Sequence, residues 1–338
     1  MDLLEPIGRS ERRHWGSAYV RGLLLDGERK SIEPLAVRSP DGNVQAIQQF
    51  IGQSPWDWGP VWAHLGKRMT AELEPDPAWV VDDTGSPKQG SHSVAVARQY
   101  SGTLGKTGNC QVAVSLHHAG EQGTAPLAWR LYVPEEWASD EQRRKDAGIP
   151  EKVRFRTKWQ LALDIIDQVR RWGLPNRVII ADAGYGETTE FREELEDRKL
   201  PYVVGISGKV GVWSQAPDTK IPPHRRRGGP PTRYDYGDQR PTAVAEVAMR
   251  ARGWKKVRWR EGVKGWLESR FWTMRVRPSH GFVHDQPPHK ELWLLAEWPE
   301  QEEHRPNISC ATCRRATHSV AWSDWRSAAG GLSRTTTN

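Results

Sequence analysis

The sequence predicts an α/β fold: a mixed sheet with flanking helices, a β-rich insertion behind it and a helical region ahead of it. Three observations lead there. Short apolar runs bounded by turn residues follow one another from Ala78 to Tyr132. From Thr157 to Ile206, apolar residues at helical spacing alternate with β-branched runs. From about 207 to 300, Gly- and Pro-rich stretches separate strand-like segments. A three-stranded meander followed by alternating helices and strands gives one mixed sheet with helices on its faces.

Residues 1 to about 75 read as helical. Ala46 to Phe50 and Val61 to Met69 carry apolar residues at helical spacing, and Pro55 and Pro60 are expected to break the run. No helix-turn-helix pattern emerges, although the region is a candidate for DNA binding. Ala78-Trp79-Val80-Val81 reads as a short strand ending in Asp82-Asp83-Thr84-Gly85. Asn109 to Leu116 and Pro126 to Tyr132 are the second and third strands. Thr157 caps a helix whose apolar face is Leu161, Ile165, Ile166 and Val169, with Gly173 at its end. Arg177 to Ala181 is a fourth strand and ends in Asp182. Thr188 or Thr189 opens a helix through Phe191 and Leu195, and Tyr202 to Ile206 is a fifth strand. In the later segment Phe271 to Val276 and Leu292 to Ala296 are the clearest strands. The expected divisions are 1–75 (helical), 76–207 (core), 208–300 (basic insertion) and 301–338 (a tail with little strand or helix pattern).

Composition narrows the function classes. A chain of 338 residues can bury a sizeable core. No stretch approaches the eighteen or so consecutive apolar residues of a membrane helix. MDLLEPIGRSERRHW lacks the apolar segment of a signal peptide. Three cysteines fit a reducing compartment. Cys110, inside an apolar run, reads as a buried small hydrophobe. Cys310-x-x-Cys313 lacks the second pair that a zinc site wants, with only His318 nearby. His92, His117 and His118 have no metal-ligand spacing.

Charge is unevenly placed. Residues 220–277 hold 16 Lys and Arg against five acids, a local +11 in a chain of net +7, so the remainder carries −4. Trp254, Trp259, Trp266 and Trp272 are interleaved with these cations. Such a stretch suits a polyanion, because Lys and Arg neutralise phosphates and release counterions. The plainer alternative is a solvated surface with buried indoles. Arg225-Arg226-Arg227, followed by Gly-Gly-Pro-Pro, reads as a basic loop; Lys255, Lys256 and Arg258 follow it.

Two acidic positions stand out. Asp82 and Asp83 end the first strand and Asp182 ends the fourth, and in a sheet of this order those strands are neighbours. Carboxylates at adjacent strand ends converge on one point, and hard divalent cations take such oxygen ligands together with phosphate oxygens. Two ions about 4 Å apart can activate a water and stabilise a leaving oxygen in phosphoryl transfer. The alternative is that Asp182 caps the following turn and that Asp82 and Asp83 begin a loop.

The run VDDTGSPKQGSHSVAVARQYSGTLGKTGNCQVAVSL (81–116) resembles the DDE transposases of bacterial insertion sequences. So do RLYVPEEWASDEQRRKDAGIPEKVRF (130–155), ADAGYGETTEFREELEDRKLPYVVGI (181–206) and ELWLLAEWPE (291–300). The resemblance runs from about Glu11 to Glu300. It implies an RNase H-like core with an inserted β-rich segment, and DNA strand cleavage and joining with Mg²⁺, or Mn²⁺ in its place. It also implies DNA partners (the element's terminal inverted repeats and target DNA), a homodimer that brings two ends together, and a bacterial, nucleoid-associated protein of the cytoplasm with no membrane partner. By position the first catalytic acid is Asp82 or Asp83. Side chains alternate across a strand, so only one faces the metals, and Asp83, directly before Thr84, is preferred. Asp182 matches the second acid, which makes Asp83 and Asp182 the expected metal ligands. Lys88, Gln99 and Lys106 are candidate DNA-backbone contacts, with ordinary loop polarity as the alternative.

The third acid of the pattern, a Glu in a run resembling RWRxExDYxxLK, is absent. Read one frame over, with permitted third bases, Trp322 onward can be translated VRLAKRRWRVEPDYHQL, and Pro306 to Arg315 can be translated KYFLCNLPA. Both resemble the family's missing end. The expectation is a frame shift between about Glu302 and Pro306, which leaves the catalytic Glu encoded but untranslated in this frame, Cys310-x-x-Cys313 accidental and the chain weak or inactive as a nuclease.

Overall fold

The computed structural model describes residues 3–27, 29–73, 77–102, 105–120, 123–214, 240–262, 265–279, 289–299 and 307–311. The chain divides into two compact units, Met1–Glu72 and Leu73–Asn338.

The first unit is helical, with α1 (Ser10–Leu24), α2 (Ile32–Arg38), α3 (Val44–Gly52) and α4 (Trp58–Glu72). Asn43 caps α3 by accepting the Ala46 N–H at 3.0 Å. Leu35 and Ile47 are fully buried between the first three helices. Phe50 stacks on Trp56 with ring centroids 5.2 Å apart. Pro55 lies between α3 and α4, as expected, but Pro60 does not break the run. It sits in the first turn of α4, where the missing N–H has no intrahelical partner to lose.

The second unit contains β1 (Ala78–Pro87), β2 (Ala97–Ser101), β3 (Lys106–Gly120), β4 (Gly123–Leu131), α5 (Glu135–Ala138), α6 (Glu141–Asp146), α7 (Lys158–Arg171), β5 (Ile179–Ala181), α8 (Ala183–Gly186), α9 (Thr189–Asp197) and β6 (Tyr202–Gly205). These are followed by β7 (Gly211–Trp213), β8 (Thr242–Ala243), α10 (Val244–Met249), β9 (Lys255–Gly262), β10 (Gly265–Pro278), β11 (Leu292–Trp298) and β12 (Asn307–Ala311). The sheet runs β2-β3-β1-β5-β6-β12-β11-β10-β7-β8, with β4 also on β3 and β9 also on β10. β1 is antiparallel to β3 and parallel to β5, which is parallel to β6. The β4-β3-β1-β5-β6 part of it is the mixed sheet that the sequence predicts.

Two expectations are corrected. The first strand does not end at Asp82: it continues to Pro87, because β3 pairs with it along its whole length, from Ala78↔Ala119 to Pro87↔Cys110. The stretch after residue 301 is not without pattern either. Asn307–Ala311 forms β12 between β6 and β11, with Ile308 and Cys310 buried. Cys313 lies outside the described residues.

The core explains the helix positions. α7 begins at Thr157, whose N–H donates to Gln160 Oε1 at 3.0 Å, and the chain turns out of the helix at Gly173, with φ +81°. Its buried face is Leu161, Ile165, Ile166 and Val169, as expected. This face covers Trp79, Val81, Val114 and Leu116, on one side of the sheet. Ala78, Val80, Ala119 and Ile180 form a separate cluster on the opposite side, as the period of two in a strand requires. Fully burying one Leu, Ile or Phe contributes about 1.5–3 kcal/mol.

Candidate active site

The register of β1 and β5 builds the site. Trp79, Val80 and Val81 face Ile179, Ile180 and Ala181. The next residue on each strand is Asp82 and Asp182, so the acids come to one end of two parallel neighbours. The charges of Asp182 and Asp83 both act on the Asp82 carboxyl, and the charge of Asp83 acts on Asp182.

Each carboxylate is held differently. Asp83 lies on the α7 side of β1. Its Oδ2 accepts from Lys158 Nζ at 2.5 Å, and its Oδ1 accepts from the buried Tyr185 hydroxyl. Asp82 lies on the other side, and its Oδ1 accepts the Asp83 N–H at 2.8 Å. Burial pushes the Asp82 carboxyl up to about 6, aided by the charges of Asp182 and Asp83 and opposed by that N–H. Behind it, Ser115 Oγ donates to the Asp82 carbonyl at 3.1 Å, and His117 Nε2 lies 3.1 Å from the same hydroxyl. Asp182 is the N-cap of α8, and its Oδ1 accepts from Gly184 N–H at 2.9 Å. Its carboxyl is raised by burial and then by Asp83, and lowered by its backbone bonds and Lys158. Asp182 is open to solvent as a residue, so the penalty comes from the protein mass around its carboxyl group.

The Asp-Ala-Gly-Tyr-Gly run has a steric reason. A Cβ on Gly186 would lie 2.0 Å from Gly205 O, so only glycine lets α8 pack against β6. That packing carries Tyr185 to Asp83. Lys158 and Tyr185 were not singled out from sequence. They reach Asp83 across 75 and 102 residues. Thr157 as a helix cap placed Lys158 at the first turn, but nothing in its spacing pointed to β1.

A sequence model described as DDE superfamily endonuclease matches residues 2–266. The chain belongs to this superfamily. Over 187 residues the chain is 32% identical to a protein of Microchaete diplosiphon described as a probable transposase for insertion sequence element IS701. The match covers 55% of this chain and 46% of that relative, so the chain spans about half the length of the curated relative it matches. Among solved structures, a cryo-EM structure of a piggyBac transposase synaptic complex with hairpin DNA aligns at a TM-score of 0.43 and 10% identity. That alignment covers 97% of this chain and 59% of the other.

Among the described residues, the cations that the sequence offers for DNA do not converge on these acids. Lys88 is exposed five residues beyond Asp83, about 16 Å along an extended chain. Its carbonyl, like that of Gly90, accepts from Asn109 Nδ2. Lys106 is exposed at the start of β3, farther out still. Gln99 Nε2 donates to Cys110 O at 3.1 Å and so serves the sheet. Cys110 is a fully buried free thiol, as expected. Lys255, Lys256 and Arg258 lie on β9, six strand positions from β1, on the order of 30 Å across the sheet. Lys256 and Arg258 both pair with Glu268, at 2.5 and 3.2 Å. Of the interleaved indoles, Trp254 and Trp272 pack against the core, and Trp266 is exposed under Arg258. Arg225, Arg226 and Arg227 lie outside the described residues, as does the Trp259 side chain.

No three His, Cys, Asp or Glu side chains among the described residues converge closely enough to hold a metal ion. The donor set still fits one in a simpler way. Mg²⁺ takes one or two carboxylates and completes its shell with water and phosphate oxygens. Crowded, partly desolvated acids are also what a divalent cation relieves. Among the described residues no helix is long and apolar enough to cross a membrane.

Proposed function

We propose that the protein is an insertion-sequence transposase that cuts and joins DNA strands at a site formed by Asp83 and Asp182 with Mg²⁺, or Mn²⁺ in its place. The observation that carries this reading is the β1–β5 register, which sets Asp82 on β1 and Asp182 after β5 directly beyond the paired residues Val81 and Ala181, with Asp83 next on β1. The bound ion would help to deprotonate the attacking hydroxyl and to stabilise the leaving oxygen. Asp83 is preferred over Asp82 because Lys158 and Tyr185 orient it on the α7 side, and because its charge is the largest carboxylate influence on Asp182. Lys158 offsets the charge of Asp83 and can turn to a substrate phosphate. The DNA partners are the element's inverted repeats and the target, and two copies of the chain would pair the two ends. The reading places the protein in the bacterial cytoplasm, associated with the nucleoid.

We further infer that the chain as translated is a weak nuclease or none, because no Glu matching the family's third acid stands in it. That absence favours a second reading, a non-catalytic DNA-binding derivative that competes for element ends. Metal separates the two: binding survives chelation, whereas cleavage does not.

The test is a nicking and gel-shift assay of the purified chain on plasmid carrying the element, with Mg²⁺ or EDTA. The expected result is DNA binding in both conditions and at most slow, Mg²⁺-dependent nicking. That nicking should be lost in Asp83→Asn and Asp182→Asn and raised when the shifted-frame segment is restored. Nicking in EDTA, or full activity in the double Asn variant, would overturn the carboxylate site. Loss in Asp82→Asn but not Asp83→Asn would move the first acid to Asp82. No DNA binding would overturn the whole reading.

A further inference from the structure

A groove against the first turns of α7 has no assigned role. It is a cavity of about 800 Å³ between the end of β4, the 147–156 loop and the first turns of α7. Its floor is apolar, from Val133, Ile149, Val153 and Leu161. Its rim is cationic, from Arg130, Lys152, Arg154 and Arg156. The one acid lining it, Asp164, pairs with Arg156 at 2.7 Å. Lys152 and Arg154 are exposed and make no ion pair among the described residues. Arg130 is half-buried, and its guanidinium is held inward, donating to Trp129 O at 3.0 Å and to Gln168 Oε1.

The loop that carries this rim is built in. Arg144 is 8% exposed and donates to the carbonyls of Ala138, Pro150, Glu151 and Val153. A buried guanidinium satisfied by four carbonyls fixes the loop without consuming its outward cations.

A chain of side-chain contacts runs from the loop of this groove to Asp83. Phe155 is 37% exposed beside the rim and makes an edge contact with Tyr132, ring centroids 6.4 Å apart. Tyr132 lies under Lys158, whose Nζ is 5.7 Å from the ring centre and 2.5 Å from Asp83 Oδ2. Three contacts therefore link an exposed aromatic ring to the candidate catalytic carboxylate.

We propose that this groove holds an unpaired DNA strand on its way to the acids, with phosphates on the exposed Lys152 and Arg154 and a base against the exposed Phe155 beside the rim. The proposal rests on the reading of the protein as a DNA transposase. Cations that follow a backbone beside an exposed aromatic ring and an apolar floor are the features that single strands use. A duplex would offer phosphates but no free base face to Phe155.

The test is fluorescence anisotropy of the full chain with a labelled dT oligonucleotide and with a duplex of equal length, in EDTA. Phe155→Ala should weaken single-strand binding roughly tenfold and leave duplex binding unchanged. Lys152→Ala/Arg154→Ala should lower the salt dependence of single-strand binding by about 1.4 in log–log slope. A matched pair of exposed cations outside the groove and outside 220–277, Arg171→Ala/Lys199→Ala, should leave both unchanged. A photoreactive deoxyuridine in the oligonucleotide should cross-link to the 147–156 peptide of the unaltered chain, a readout independent of any variant's folding. Equal loss in the matched pair, equal loss on duplex, or cross-links confined to other peptides would overturn the groove while leaving the transposase reading intact. If the unaltered chain binds neither DNA, the transposase reading falls first.

Discussion

Asp82→Asn should make the protein more stable while removing a candidate active-site acid. The Asp82 carboxyl is pushed from an ordinary 3.8 to about 6, first by burial and then by Asp182 and Asp83. Because the folded value lies above the unfolded one, the folded chain holds this proton more tightly. The penalty of ionising Asp82 is therefore absent below about pH 4, grows through the interval and is complete above about pH 6. At 1.36 kcal/mol per pH interval of one, the rise corresponds to about 3 kcal/mol at neutral pH. Asparagine keeps the shape of the neutral acid, and its Oδ1 can still accept the Asp83 N–H. For a unit of this size about 3 kcal/mol raises the Tm by roughly 5–10 °C. The assay is thermal unfolding in EDTA at pH 8 and at pH 4. The variant should melt higher at pH 8 and within a degree or so of the parent at pH 4. Equal melting at pH 8, or an equal gain at both values, would show that Asp82 carries no unrelieved charge and would remove the crowding argument for a metal. Mg²⁺ should raise the Tm of the parent more than that of the variant, since the ion relieves the same repulsion.

Two further perturbations probe the scaffold. Arg144→Ala leaves the carbonyls of Ala138, Pro150, Glu151 and Val153 without their shared donor. It should cost about 3 kcal/mol, with faster hydrogen exchange concentrated in 147–156; uniform exchange across the chain would refute the loop-building role. Gly186→Ala drives a Cβ to 2.0 Å from a backbone oxygen that cannot swing aside. It should destabilise by about 1–3 kcal/mol and pull Tyr185 from Asp83; a Tm unchanged from the parent would show that α8 is free to move.

Much of this molecule is legible from local sequence because local rules decide it. The Thr157 start, the apolar face through Val169 and the Gly173 exit each follow from one helix's own caps and period. The strand before Asp182 is a short buried apolar run, and its partner in β1 follows from the order of elements. What escaped depends on distant pairing. Ala97–Ser101 is polar and has no apolar alternation, and is a strand because β3 offers it a ladder from Ala97↔Cys110 to Ser101↔Lys106. β1 outlasts its apolar half because β3 pairs with it beyond the acids. Asn307–Ala311 offers only Ile308 and Cys310 as buried apolar residues among those described, too few for a pattern, and gains its state from two flanking strands. At the site the same division holds. The acids follow short apolar runs and can be read, whereas Lys158 and Tyr185 carry no local mark of their role.

His118, which has no metal spacing in the sequence, supplies the counterweight to Asp82. It is fully buried on β3 opposite Trp79, and neither ring nitrogen has a hydrogen-bond partner among the described residues. Burial, then the charge of Arg177, pushes its pKa down to about 4. Here the folded value lies below the ordinary 6.5, so the folded chain resists the proton. Its contribution is intact above about pH 6.5 and is lost as pH falls towards 4, about 3 kcal/mol in all. Over the same interval Asp82 becomes protonated and its penalty disappears. The two titrations oppose each other, so the parent's stability should change little between pH 6.5 and 4. His118→Leu fills a similar volume and removes one arm. Urea unfolding of that variant in EDTA should show stability rising by about 2–3 kcal/mol as pH falls from 6.5 to 4, while Asp82→Asn should show it falling by a similar amount. If His118→Leu follows the parent's pH profile, the buried ring is not held neutral by its surroundings, and acid sensitivity must arise from other groups.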